Sequence, residues 1–193
     1  VKVSFEKIRK NGFAATYAMV DAPTENKHRY LHQIEKIISD SGLTHDQKNL
    51  SLKIFHRLAK AEAHAHGIPI DKVHFHEVGA ADSIADIVAA AVGFCWLKID
   101  KFTSRSVPTG HGTVKCEHGV MPIPTPGTTA LLEGAPIANV NIGKELTTPT
   151  GAAILTAVVT EWIESPHMTI QKVGCGAGTM DLQTQPNMLR LFL

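Results

Sequence analysis

The sequence predicts an α/β or α+β fold in which several long helices pack on a mixed sheet that begins with an N-terminal hairpin. Three observations support this fold class. Long stretches carry apolar residues at helical spacing, and shorter alternating runs lie between glycines and prolines. With 44% hydrophobic residues among 193, the chain can also bury a sizeable core. We expect one domain covering residues 1–193.

The first elements follow from turn and cap residues. Residues 1–8 and 13–20 alternate as two strands, and the Asn-Gly pair in 10–12 supplies the positive φ angles of a tight hairpin turn. Helical periodicity then predicts helices over 25–42 and 46–66, the second ended by a glycine.

The middle of the chain predicts an alternation of helices and extended segments. The segment 73–75 should be extended, and the alanine-rich helix at 81–97 should be buried on most sides. A strand is expected at 102–107. Residues 108–127 hold too many prolines and glycines for regular structure and predict a functional loop, before a short helix at 128–132.

The last third opens with a helix start. A threonine cap followed by proline predicts a helix from 147 to about 164. A strand at 168–173, a glycine-rich turn at 174–178 and a strand at 187–193 should follow. Because the chain stops on an apolar run, we expect it to be a fragment of a larger protein.

Composition excludes several classes of protein. Lys and Arg number 19 against 18 Asp and Glu, so the basic surface of a nucleic-acid-binding protein is missing. No apolar run approaches the roughly 20 residues needed to cross a bilayer. Three widely spaced cysteines do not form a disulfide framework, which favours the cytoplasm.

The segment 73–86 concentrates metal-binding side chains. In an extended strand His74 and His76 would point to the same side, about 7 Å apart, with Glu77 beside them. Imidazole and carboxylate are the ligands of borderline divalent metals. The structural alternative is that the two histidines only contribute to packing.

Two carboxylates follow in the same segment. Asp82 and Asp86 are four residues apart and would share one face of a helix. Asp82 could also cap that helix, and Asp86 could be an ordinary solvated charge. Glu62 and His66 present the same choice at the end of the preceding helix, between capping and metal binding.

A second polar cluster runs from His111 to His118. Its glycines would let the backbone approach a ligand closely, and Cys116 could bind a soft metal as a thiolate. Ordinary loop polarity is the alternative.

The predicted helix start at 147–151 is the better of two candidate anion sites. Free backbone N–H groups and the helix dipole would face an anion near Thr148, Thr150 and Gly151. The glycine-rich 174–178 segment is the weaker candidate, because no helix clearly follows it.

At four ordered motifs the chain resembles the LarC family, the nickel insertase of nickel-pincer cofactor biosynthesis. The motifs are VHFHEVGAADSIADIV (73–88), VPTGHGTVKCEHGVMPIPTP (107–126), ELTTPTGAAIL (145–155) and GCGAGT…PNMLR (174–190). Members of this family usually carry an acidic segment before Val1 and a further C-terminal domain. Met180 also departs from the basic residue expected at its position.

The resemblance implies insertion of Ni²⁺ into pyridinium-3,5-bisthiocarboxylic acid mononucleotide, a nucleotide-like precursor. CTP, with Mn²⁺ or Mg²⁺, would be consumed by the full-length protein, which we expect to be a cytoplasmic homo-oligomer. The motifs make His74, His76, Asp86, His111 and His118 the candidate metal ligands. Glu77 or Asp82 would be the catalytic base that accepts the proton lost when the ring carbon is metallated. Thr148, Thr150 and Gly151 would bind the precursor.

Two other functions remain open on sequence alone. The same polar residues could hold a metal that activates water in a hydrolase. They could also shape the interface of a non-catalytic assembly domain.

Overall fold

The computed structural model describes residues 1–22, 29–75 and 80–193. Its described part combines helices with short and long strands, which confirms the predicted mixed fold class. The helices are α1 (Leu31–Ser39), α2 (His45–His66), α3 (Ala81–Leu97), α4 (Pro126–Leu131) and α5 (Pro149–Val158), with a 3-10 turn at Ile70–Lys72.

Within the described residues the strands belong to one four-stranded sheet and four two-stranded pairs. They are β1 (Lys2–Lys10), β2 (Phe13–Asp21), β3 (Arg29–Tyr30), β4 (His74–Phe75), β5 (Thr103–Ser104), β6 (Val107–Pro108), β7 (Thr113–Cys116), β8 (Gly119–Pro122), β9 (Ile137–Ala138), β10 (Glu161–Trp162), β11 (Val173–Ala177) and β12 (Met188–Phe192).

Backbone contacts divide the chain into two compact units, Glu25–Pro166 and a unit made of both ends, Val1–Thr24 with His167–Leu193. The single domain expected from the sequence stays a prediction, because two compact units can still fold together. In the end unit the strand order is β1-β2-β11-β12, antiparallel within each hairpin and parallel between β2 and β11. The N-terminal hairpin is confirmed, and its turn has φ values of 47° at Asn11 and 84° at Gly12.

The unit Glu25–Pro166 is built around α2. Thr44 and Gln47 form a reciprocal capping box at its start, and Gly67, with φ 62°, ends it. The buried stripe of α2 packs with α1, α3, α4 and α5 in one apolar core. Its largest fully buried side chains include Phe55, Phe75, Ile34, Ile38, Ile54, Leu58 and Ile87.

Two predicted elements differ near these helices. The first helix begins at Leu31, not near Glu25, because Arg29 and Tyr30 pair as a strand with β4; residues 23–28 lie outside the described residues. α3 has the predicted bounds but buries only Ile84, Ile87 and Ala91, so one stripe packs inward and the rest is more accessible than expected. Trp96 on that helix is 78% exposed.

The predicted strand and irregular loop between 102 and 127 are also corrected. Residues 102–107 form no single strand, because β5 pairs with β10 and β6 with β9. Residues 113–122 form the antiparallel hairpin β7–β8, since its only proline, Pro122, lies at the strand end, where it interrupts little pairing.

The C-terminal predictions are partly wrong. α5 ends at Val158, because Val158, Val159 and Thr160 are β-branched and favour the extended chain that leads into β10. The predicted strand at 168–173 lies later, at β11, and the expected glycine-rich turn is largely this strand, paired with β2 and β12. The final strand is confirmed as β12.

Within the described residues, no helix combines the length and apolar character needed to span a membrane.

Candidate functional site

A cavity of about 390 Å³ opens in the unit Glu25–Pro166, where several element ends meet. The last turn of α2, the β7–β8 hairpin, the start of α4 and the start of α5 line it, and Ser83 reaches it from the first turn of α3. Its size lies within the range of small-molecule sites. It is the candidate functional site because several of its lining residues belong to the sequence motifs.

Three of the residues predicted from sequence line this cavity: His118, Thr148 and Thr150. His118 occupies the two-residue turn between β7 and β8, whose register pairs Cys116 with Gly119. Thr148 is the N-cap of α5 and its hydroxyl accepts a hydrogen bond from the Gly151 N–H at 3.3 Å. The hairpin turn and the helix start thus face one space.

The last turn of α2 adds an acid and a base to the cavity. The carboxylate Oε2 of Glu62 lies 3.4 Å from Nε2 of His66, one turn along the helix. The rings of His66 and His118 lie 4.9 Å apart, centre to centre, with planes inclined at 47°. A Cβ built on Gly127 would sit 3.3 Å from Glu62 Oε1, so glycine leaves room for this carboxylate.

Glu62, His66 and Cys116 were weighed from the sequence but not chosen, and Lys115 and Glu145 were missed. A signal existed for the first pair: Glu62 and His66 are four residues apart at a helix end. Only the tertiary fold brings that helix end to the β7–β8 turn, so the spacing alone could not select it.

The other predicted residues lie elsewhere or outside the described part. His111 does not line the cavity. Its ring Nε2 lies 3.1 Å from Oδ1 of Asn141, and its backbone N–H donates to the Ile142 carbonyl. His74 sits in β4 with its ring centre 5.9 Å from that of Tyr30. His76 and Glu77 fall outside the described residues.

Asp82 and Asp86 share a face of α3, as their spacing predicts. Asp82 lies in the first turn of α3, where the helix dipole favours an anion. Its Oδ1 atom accepts a hydrogen bond from the backbone N–H of Ser83 at 2.8 Å. Partial burial raises the pKa of the Asp86 carboxyl, and the negative charge of Asp82 raises it further, although Asp86 still reaches solvent.

Among residues 1–22, 29–75 and 80–193, no three His, Cys, Asp or Glu side chains are arranged to hold one metal ion. The cavity instead offers the His66–His118 pair, with a carboxylate beside it and the N-terminal end of α5 facing the same space. Two imidazoles beside a carboxylate can bind a divalent metal or exchange protons, and the start of α5 suits an anionic group.

Comparison with known proteins identifies the family. The sequence profile described as "Nickel insertion protein" matches residues 1–193. The chain belongs to the nickel insertion protein family. This confirms the family predicted from the four motifs.

Curated relatives agree with this assignment. A Geobacillus kaustophilus protein named pyridinium-3,5-bisthiocarboxylic acid mononucleotide nickel insertion protein is 42% identical over 100% of this chain and 49% of its own length. A Desulfitobacterium hafniense protein of the same name is 47% identical over 96% of this chain and 46% of its own. A putative nickel insertion protein of Geobacter metallireducens is 44% identical over 99% of this chain and 49% of its own length.

The chain thus spans about half the length of the curated family members it matches. No solved structure matches it.

Proposed function

We propose that this chain forms the metal-handling part of an enzyme that inserts nickel into pyridinium-3,5-bisthiocarboxylic acid mononucleotide. The observation that carries the proposal is the cavity, where His118, Thr148 and Thr150 from two separate sequence motifs line one space. Family membership and the names of the relatives support the same chemistry.

The start of α5 suits an anionic group of the precursor. Thr148 and Thr150 border the cavity, and the N-terminal end of a ten-residue helix carries a partial positive charge. Lys115 from β7 also lines the space and adds a formal positive charge. We assign Thr148, Thr150 and Gly151 to binding of the precursor, through its phosphate or a thiocarboxylate.

The acidic residues serve the loss of a proton. Forming a nickel–carbon bond at the pyridinium ring replaces a ring hydrogen, so a base must accept that proton. Glu77 and Asp82 are the proposed bases. The sequence motifs also propose His74, His76, Asp86, His111 and His118 as nickel ligands. Of those that the structure describes, only His118 lines the cavity.

The proposal extends to the whole protein. There, CTP with Mn²⁺ or Mg²⁺ would drive insertion, and the enzyme would work as a cytoplasmic homo-oligomer. Family membership favours nickel insertion over a hydrolase.

The test uses the full-length protein. Incubation with the precursor, Ni²⁺, CTP and Mn²⁺ should give a product whose mass rises by one nickel less the displaced proton, detected by mass spectrometry. Absence of that product, with the precursor shown to be intact, would contradict the proposal.

A matched pair of variants locates the precursor. Thr150→Ala should raise the KM for the precursor, because Thr150 borders the cavity beside the α5 start. Thr129→Ala is the control: its hydroxyl donates to the Thr125 carbonyl within the α4 segment, and Thr129 does not line the cavity. Equal KM values in both variants would count against the α5 assignment.

A further inference from the structure

We propose that His66 and His118 form a two-ligand nickel station, and that the sulfur donors of the bound precursor complete the coordination. The inference rests on the proposed function and names the point in the cavity where nickel waits before transfer. Neither the family description nor the names of the relatives assigns a nickel ligand.

The distance between the two rings is compatible with one shared ion. An imidazole that binds a metal at about 2.1 Å through a ring nitrogen has its centre roughly 3.2 Å from the ion. Two such rings at adjacent coordination positions have centres about 4.5–5.2 Å apart, depending on whether the angle at the metal is square or tetrahedral. The observed separation of 4.9 Å lies inside that interval.

Glu62 holds one of the two rings in position. Its Oε2 is 3.4 Å from Nε2 of His66, at the far limit of a hydrogen bond that would fix the orientation of the ring. A carboxylate behind a ligating imidazole fixes the ring and makes it a stronger donor. The Glu62 side chain is only 19% exposed, and Gly127 leaves it room.

Two protein ligands suit transfer better than four. A complete protein site would retain nickel, whereas two imidazoles from the described residues leave coordination positions for the donors of the precursor. The His66 side chain is 34% exposed, so the ion can enter from solvent. A precursor anchored at the α5 start occupies the same cavity as the His66–His118 pair, so its sulfurs can take those positions.

The experiment measures nickel binding to the tag-free full-length protein without precursor. Titration calorimetry gives the dissociation constant, and X-ray absorption at one equivalent of nickel counts the imidazole ligands. Wild type is compared with His66→Ala, His118→Ala and Glu62→Gln. His64→Ala is the matched control, since it lies in the same last turn of α2 and does not line this cavity.

The expected result is a loss of one imidazole in each of the two histidine variants and none in His64→Ala. Glu62→Gln should weaken binding about tenfold while keeping both imidazoles, and each histidine variant should weaken it more. Adding precursor to wild type should replace oxygen scatterers by sulfur.

Two outcomes separate this inference from the proposed function. If His66→Ala and His118→Ala keep the wild-type affinity and imidazole count, the station is wrong, even if the wild type still makes the nickel product. If the wild type makes no product but binds nickel through both imidazoles, the proposed function fails and the station stands.

Discussion

The two compact units differ in what holds them together. In Glu25–Pro166, Ile34, Ile54, Phe55 and Leu58 have no accessible surface. In the described part of the end unit few apolar side chains are buried, and Phe5 is 72% and Leu189 75% exposed. Hydrogen bonds between the backbones of four strands are the main interactions that hold this unit together.

The difference explains where a transfer site can be built. The centre of α2 lies in the apolar core, and its last turn carries Glu62 and His66 into the cavity. Side chains on a helix anchored in this way keep their positions better than side chains on loops. The core of this unit thus serves as the scaffold of the candidate site.

The largest expected effect is a difference in stability loss between two phenylalanine variants, one in each unit. Phe55→Ala should lower the free energy of unfolding by about 3–5 kcal/mol, because it opens a cavity in the core. Phe5→Ala is the control on the sheet, where the ring already meets water, and should change stability little. Denaturant unfolding of both variants measures the two values.

Hydrogen exchange resolved by segment sharpens this prediction. Phe55→Ala should speed exchange in α1, α2 and α3. Equal acceleration in β1, β2, β11 and β12 would mean that the two units unfold as one, and the comparison would lose its force.

A glycine where two backbone segments approach closely gives the second-largest effect. Gly110 has φ 77°, and a Cβ there would overlap the carbonyl oxygen of Lys144, so the two backbones can approach only with glycine. Gly110→Ala should cost at least about 2 kcal/mol. Gly112, with φ 95° and open space around it, is the matched control and should cost about 1 kcal/mol from backbone strain alone.

Thermal unfolding of the two glycine variants checks this difference. Similar losses would show that the approach of 110 to 144 does not matter to stability.

Local sequence signals predicted the elements that local chemistry decides. The Asn11-Gly12 turn needs two positive φ angles, and α2 has a threonine cap at one end and a glycine at the other, so both elements were predicted within one or two residues. The family followed from motifs of ordered residues.

Sequence could not predict what depends on contacts between distant segments. The β7–β8 hairpin lies in a stretch whose prolines and glycines predicted a loop, and its pairing is set by register across the turn. Likewise, His66 and His118 are 52 positions apart, and nothing in either motif indicates that α2 ends beside the hairpin. The meeting of the α2 end with the hairpin turn could therefore be seen only in the folded structure.

The third prediction concerns the end unit. Lys10 is buried at the end of β1; its Nζ donates to the Thr179 carbonyl at 3.1 Å and lies 2.6 Å from Asp181 Oδ1. Lys10→Met should cost about 1–2 kcal/mol, mostly from the lost hydrogen bond, because Asp181 is 87% exposed and its charge is screened.

Lys7→Met is the control for this ammonium group, since Lys7 is exposed and bonds only the Thr16 hydroxyl among the contacts seen. Faster exchange in β11 and β12 in the Lys10 variant alone would support the role of Lys10. No change in either variant would mean that strand pairing suffices to hold this unit.

The smallest expected effect is a pH-dependent change in the Tm of the metal-free protein, caused by Asp86 on α3. Burial and then Asp82 raise the pKa of Asp86 above that of an unfolded aspartate, so the folded state binds this proton more tightly than the unfolded state. The ionised carboxyl therefore destabilises the fold above the folded pKa, and the penalty fades as pH falls towards the unfolded value of about 3.9.

Asp86→Asn should raise Tm slightly at pH 7 and leave it unchanged near that acid limit. Asp46→Asn is the control: Asp46 lies in the first turn of α2, where the helix dipole favours its charge, so Tm should not rise. A Tm gain of equal size at both pH values would show that ionisation of Asp86 does not cause it.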